Sequence, residues 1–220
     1  VSKNPSAPFD LKKNANNAVK EIPKDIWTIN SIVLVPDNPL RPVRVVKKWQ
    51  TPVFYKIYGT FGNEALDQKI AENTRAMFEQ ISRITGLKIT ESVTDSMVNF
   101  HILAGKTPDI FADIITPEAL SYLKAYNNDN FYLDSDSGFI NSVQFLSLKG
   151  NPSGKTVWWM TQHCIMKGLG FFKTISDPDN SIFYTNYTTT PEQIQPFDVK
   201  IIKAMYNPQV KSGMTERQLD

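Results

Sequence analysis

Residues 156–173 read TVWWMTQHCIMKGLGFFK, the most apolar run in the C-terminal half of this 220-residue chain. The run holds His163, the single cysteine, Cys164, and two of the four tryptophans. If it folds as a helix, His163, Lys167 and Gly170 follow one another along one face, because residues three and four apart lie on the same side of a helix. We therefore predict that the rest of the fold is arranged around this helix.

Composition and charge exclude several classes of protein. The chain carries 24 basic and 22 acidic residues, a net charge of +2, and is 41% hydrophobic. It lacks the basic excess that nucleic-acid-binding surfaces show, so we predict no nucleic-acid partner. No run approaches the ~18 apolar residues that a membrane span needs, so we predict no transmembrane span. A single cysteine allows no internal disulfide.

The domain organisation is predicted from shifts in composition along the chain. We expect a polar N-terminal tether at 1–25, an N-terminal extension at 26–48, a main domain at 49–215 and a tail at 216–220. Because the chain starts at Val1 without Met, we expect the tether to follow a removed signal peptide or a lipid anchor. This predicts an exported protein, either periplasmic or a lipoprotein of the outer membrane or cell surface. A cytosolic protein trimmed at its N-terminus is the alternative.

Hydrophobic periodicity predicts an α+β fold. Strands are predicted at 27–35, 43–46, 49–59, 87–91, 97–103 and 139–148, and helices at 63–85, 117–126, 156–173 and 191–205. The clearest helix is 63–85, which Asn63 can cap and Gly86 can end. Residues 127–130 and 134–138 are predicted to be loops. We expect a mixed, twisted sheet with two long helices on one face and a further C-terminal helix.

The order of these elements resembles the metzincin zinc endopeptidases, a group with the zincin fold. Residues 53–85 resemble the first strand and long helix of that fold, 98–103 its central strand, and 158–171 its active-site helix. Residues 139–145 resemble the strand before that helix, 181–184 (SIFY) the segment with the Met-turn, and 195–206 the closing helix. The resemblance implies a metzincin-like fold.

A closer resemblance is to a family of bacterial exported proteins that keep this fold and whose function is not established. Its motifs are found here as WQTPV at 49–53, TGL at 85–87, GL at 168–169 and NSIF at 180–183. The C-terminal motif is the most specific, with Asp198 followed by MYNP at 205–208 and GM at 213–214. The resemblance covers residues 45–215.

The resemblance also implies a degenerate zinc site. Metzincins hold zinc with the motif H-E-x-x-H-x-x-G-x-x-H, in which three imidazoles bind the metal and the glutamate takes a proton from water. These positions fall, in order, on His163, Cys164, Lys167, Gly170 and Lys173, and the Met-turn position falls on Phe183. A lysine ammonium has no lone pair for a metal. We therefore predict no catalytic residues and no cofactor, with His163 and His101 as weak metal candidates.

Three functions are compatible with this pattern. The first is a non-catalytic pseudoprotease whose cleft, between the sheet edge and the His163 helix, binds a peptide or protein partner, for example by strand addition. The second is a divergent metal-dependent hydrolase, a peptidase with a rearranged ligand set in which His101 and His163 share a zinc ion. The third is an envelope-assembly module whose cleft is filled by its own N-terminal segment.

Overall fold

The computed structural model describes residues 34–38, 41–125, 130–135, 138–147, 154–172, 181–183, 191 and 193–219. Its strands are β1 (Leu34–Asn38), β2 (Arg41–Val46), β3 (Val53–Gly59), β4 (Ile89–Glu91), β5 (Phe100–Ala104), β6 (Asn130–Ser135) and β7 (Gly138–Leu146). Its helices are α1 (Glu64–Thr85), α2 (Pro117–Ala125), α3 (Gly154–Gly168), α4 (Pro196–Met205) and α5 (Glu216–Leu219), with 3-10 turns at Asp95–Met97 and Pro108–Phe111. Within these ranges, no helix combines the length and apolarity that crossing a membrane requires.

Five strands form one mixed sheet in the order β4-β3-β5-β7-β6. The first four are parallel, and β6 runs antiparallel to β7. Strand β5 is central because Phe100 is in register with Tyr55 of β3 on one side and Ser142 of β7 on the other. The predicted α+β class with a mixed sheet is therefore confirmed.

Strand β6 corrects the sequence prediction, which placed loops at 127–130 and 134–138. Asn130 pairs with Gln144 and Ser135 with Gly138, so the described part of these segments belongs to a hairpin. The residues between them, 131–133, were not predicted to form a strand. Pairing with β7 and packing against α2 override the turn-forming composition of the two segments.

Both long helices pack on the same face of the sheet, as predicted. Phe78 of α1 meets Phe100 of β5 edge to face at 5.3 Å between ring centroids. At Gly168 of α3, a Cβ atom would lie 2.2 Å from the same Phe100 ring, so α3 crosses β5 with no room for a side chain. Helix α4 packs against α1 on this side. The bounds of two helices differ from the prediction. Helix α3 ends at Gly168 and not at residue 173, and α4 begins at Pro196 and not at residue 191.

The opposite face of the sheet is covered by α2 and the turn at Pro108–Phe111. Their core contains Phe111, Ala119 and Leu123, packed against Leu103 and Val143 of the sheet. Side chains alternate along a strand, so Phe100 and Ile102 face α1 and α3, whereas His101 and Leu103 face α2. This alternation fixes the side of the sheet on which each candidate histidine lies.

The segment around residue 46 ties the N-terminal hairpin to the C-terminal end of the chain. Val46 is buried, its N–H donates to the carbonyl of Met214 at 2.8 Å, and its carbonyl accepts from Gly213 at 2.8 Å. The predicted boundary at residue 49 thus runs through a buried part of the core. The tether at 1–25 lies outside the described residues, and the strand predicted at 27–35 is described only at its last two residues.

Candidate functional site

The C-terminal end of α3 is held by side chains from distant parts of the chain. The indole Nε1 of Trp49 donates to the carbonyl of Gly168 at 2.8 Å, and the Tyr206 hydroxyl donates to the carbonyl of Leu169 at 2.8 Å. The chain then turns at Gly170, whose φ is +102°. A Cβ there would lie 2.2 Å from the carbonyl oxygen of Lys47, so only glycine fits.

The middle of α3 lines a cavity of about 780 Å³ at the C-terminal ends of β5 and β7. Helix α3 contributes one wall. The other walls come from the end of β7, the turn after β5 and the C-terminal end of α2. The lining includes Trp159, Met160 and His163 of α3, Phe145 and Leu146 of β7, and Leu123 of α2. Apolar groups form most of its surface, and its described polar lining residues are Lys106, Thr107, Asp109, Lys124, Ser147, Thr156 and His163.

His163 is half-buried in this cavity and stacks on Trp159, one helical turn earlier. The two ring centroids are 4.9 Å apart and the planes are inclined by 16°. Near the mouth, Lys124 of α2 pairs with Asp109 of the Pro108–Phe111 turn at 2.6 Å. Both partners are about half exposed, so this pair contributes about 1 kcal/mol or less to stability.

The other positions of the zinc motif that the structure describes do not form a ligand set around His163. Cys164 borders the cavity but is only 7% exposed and belongs to the main hydrophobic core. Lys167 is half-buried in the last turn of α3. Lys173 lies outside the described residues. Phe183, at the Met-turn position, is buried against Phe171 at 5.3 Å between ring centroids.

His101 lines a different cavity, of about 70 Å³, beneath α2. Its ring stacks on Tyr58 at 5.7 Å, and its Nδ1 is buried with no hydrogen-bond partner among the described residues. Burial lowers the pKa of His101, and the charge of Asp95 opposes this shift only in part, so the neutral form is favoured.

The structure does not bring His101 and His163 together. They line separate cavities, and His101 faces α2 whereas α3 packs on the other face of the sheet. His101 is also three residues, or roughly 10 Å, before the end of β5, beyond which the larger cavity opens. Among the residues that the structure describes, no three His, Cys, Asp or Glu side chains are grouped so that they could hold a metal ion.

Asp198 positions the segment at 181–183 beneath the C-terminal end of α3. Its carboxylate is fully buried and accepts hydrogen bonds from the Ser181 hydroxyl at 2.5 Å, Ile182 N at 3.3 Å and Gln195 N at 2.7 Å. Burial raises the pKa of Asp198, while these donors oppose that shift. In the sequence, both partners belong to motifs of the resemblance, NSIF at 180–183 and the C-terminal motif that begins at Asp198. The resemblance gave the order of these motifs but not their contact.

Sequence reasoning missed most of the cavity wall. Leu123, Lys124 and Asp109 come from α2 and from the turn before it, which carry no motif. Their contribution arises only because β5, α2 and β7 meet at one end of the sheet. Periodicity within each segment gives no signal for such a meeting.

Comparison of the chain with protein-family models gives no match, and comparison with curated proteins gives none either.

Proposed function

We propose that this chain is a non-catalytic protein with a metzincin-like fold, whose cavity at His163 binds an apolar segment of a peptide or protein partner. The observation that carries the proposal is the cavity itself, which lies against the helix with the zinc-motif pattern while lysines occupy two ligand positions of that motif. From the family resemblance, we also propose that the protein is exported, either to the periplasm or to the cell surface as a lipoprotein.

The arrangement of the elements supports the metzincin-like part of this proposal. Strand β5 is central, as the resemblance implies for 98–103, and β7 leads into α3. The chain turns at Gly170, and Phe183 packs against Phe171 just beyond that turn.

The shape and chemistry of the cavity support binding. Ligand sites are typically clefts of ~300–1,000 Å³ with mostly apolar walls and a few polar groups. This cavity has that size, with Trp159 and Met160 on one wall and Leu123 on another. Because its described lining includes no residue of the edge strand β6, we favour insertion of apolar side chains over the strand addition expected from the sequence.

The metal-dependent hydrolase is the less favoured function. It requires His101 and His163 to share one metal ion, within roughly 3–4 Å of each other. The two imidazoles line separate cavities, and His101 of β5 faces α2, whereas His163 belongs to α3 on the other face of the sheet.

The binding proposal is tested with Trp159→Ala and Trp158→Ala, two variants of adjacent tryptophans on α3. Trp159 lines the cavity, whereas Trp158 lies outside the described lining and donates to the carbonyl of Pro191 at 3.4 Å. The probe is an array of random peptides, and affinities of the bound peptides are measured by fluorescence anisotropy. We expect Trp159→Ala to weaken binding about 10-fold or more, because buried tryptophans dominate such contacts, and Trp158→Ala to change it by less than about 2-fold.

Two results would contradict the proposal. One is that no peptide binds, or that both variants bind equally well. The other is that the purified protein holds stoichiometric zinc and cleaves peptides, with cleavage lost in His163→Ala, which would favour the hydrolase instead.

A further inference from the structure

A third cavity, of about 220 Å³, lies beside Trp49 and Tyr206 of the main hydrophobic core. It is bounded by the segment between β2 and β3, the C-terminal end of α1 and the segment after α4. It shares no lining residue with the His163 cavity. Its described lining residues are Lys48, Trp49, Gln50, Thr85, Gly86, Leu87, Tyr206, Pro208, Val210 and Lys211.

Lys48 is the unusual group in this cavity because it is a charged side chain that is only 4% exposed. Its Nζ donates to the carbonyl of Met205 at 2.8 Å and to that of Asn207 at 3.1 Å, at the C-terminal end of α4. It also lies 5.4 Å from the centre of the Tyr206 ring. An ammonium has three N–H donors, and these two carbonyls use two of them.

Lys211 adds a second positive charge to the same cavity. Among the described lining residues there is no Asp or Glu, and the titratable groups are Lys48, Lys211 and Tyr206. The C-terminal ends of α1 and α4 also point here, each equivalent to roughly −0.5 charge. Together they offset about one of the two positive charges, so an excess positive charge is left.

The positive charges of Lys48 and Lys211 repel each other, and a bound anion would reduce this repulsion. Burial and, to a smaller extent, the positive charge of Lys211 together lower the pKa of Lys48 to about 8. An anion between the two ammonium groups removes this repulsion and accepts the remaining N–H of Lys48. By linkage, it also raises the pKa of Lys48.

We propose that the cavity bounded by Lys48 and Lys211 is a binding site for a compact oxyanion, a carboxylate or a phosphate. The two ammonium groups supply the charge and the donors. Trp49, Leu87 and Val210 are among the apolar residues that line the cavity beside these two groups. The site is independent of the partner-binding cavity, so either proposal can fail without the other.

The test uses the full chain, with inorganic phosphate and acetate as probes in separate titrations against sodium chloride at constant ionic strength. Thermal unfolding is followed at neutral pH. We expect a saturable rise in Tm with at least one probe, and the two titrations distinguish a phosphate site from a carboxylate site. Lys211→Ala should abolish the rise. Its side chain is exposed, so the variant should fold.

Lys203→Ala is the matched control, because Lys203 is an exposed lysine of α4 that does not line the cavity. It should keep the full rise in Tm. A second measurement follows Lys48 by NMR of the ¹⁵N-labelled lysine side chains, and its pKa should rise when the anion is bound. The proposal is overturned if neither probe raises Tm more than chloride does, if Lys211→Ala keeps the rise, or if the pKa of Lys48 does not change.

Discussion

The two ends of helix α3 differ in how they are held. At the C-terminal end, Trp49 and Tyr206 donate to the carbonyls of Gly168 and Leu169. The absence of a side chain lets Gly168 pack against the Phe100 ring and Gly170 against the carbonyl of Lys47. The middle and N-terminal part instead borders an open cavity, where the nearest ion pair is half exposed. We therefore expect substitutions at the C-terminal end of α3 to reduce stability more than substitutions of the side chains that border the cavity.

The packing around Trp49 shows why the C-terminal end is the rigid one. Trp49 is 1% exposed, and its ring lies 6.2 Å from that of Phe100 and 5.9 Å from that of Phe139. It therefore joins the central strand, the hairpin and α3 in one cluster. Substitutions there should affect stability first, whereas substitutions at the cavity should affect binding first.

The largest expected effect is that of Trp49→Ala. Loss of a buried tryptophan leaves a cavity and an unpaired carbonyl at Gly168, so we expect the free energy of unfolding to fall by about 3–5 kcal/mol. Urea denaturation measures this change. Trp159→Ala, at the other end of α3, should cost clearly less because Trp159 borders an existing cavity. Equal losses in the two variants would show that the two ends do not differ.

The next largest effect is expected in the pH dependence of stability, through the titration of Lys48. Its folded-state pKa of about 8 lies below the ordinary value of 10.5, so the unfolded state holds this proton more tightly. Stability should therefore rise with pH between about 8 and 10, by at most about 1.4 kcal/mol per pH unit. Above that range the trend should reverse, since burial raises the pKa values of Tyr55, Tyr58 and Tyr206, which then stay protonated only in the folded state.

The measurement is the urea midpoint across this pH range for the wild type and for Lys48→Met. The variant removes the titrating group and keeps an unbranched apolar stem, so its curve should be flat where that of the wild type rises. If both curves have the same slope between about pH 8 and 10, the titration of Lys48 does not cause the pH dependence of stability.

The smallest expected effect is at the mouth of the cavity. Asp109→Asn breaks the half-exposed ion pair with Lys124, and we expect a loss of about 1 kcal/mol or less. A double-mutant cycle with Lys124→Met isolates the pair from other contacts. A coupling energy above about 2 kcal/mol would mean that the mouth is held as firmly as the opposite end of α3.

Local signals in the sequence predicted the helices best. The side chain of Asn63 accepts from Leu66 N, and Gly86 ends α1 with φ at +72°, so both bounds of this helix were predicted correctly. Strand β5 was predicted by its alternation, although Met97 belongs to the turn at Asp95–Met97 and the strand begins only at Phe100. These features depend on residues within a few positions of one another.

The candidate site was only partly predictable. The sequence placed His163 on a helix beside a cleft, and the structure places it in a cavity. His101 was considered as its partner because nothing in the spacing shows which face of the sheet a strand residue takes. The other walls of the cavity come from residues between Lys106 and Ser147, which precede His163 by 57 to 16 positions, so no local pattern could assign them.

By itself, the sequence determined the alternation of strands and helices, the caps of α1 and the helix that carries His163, because capping and periodicity act over a few residues. Only the tertiary structure decided that 130–135 form strand β6, that the two histidines lie apart and that Lys48 is buried beside Lys211. Each of these depends on contacts between residues distant in the chain. Such contacts are set by the packing of the whole core rather than by any single segment.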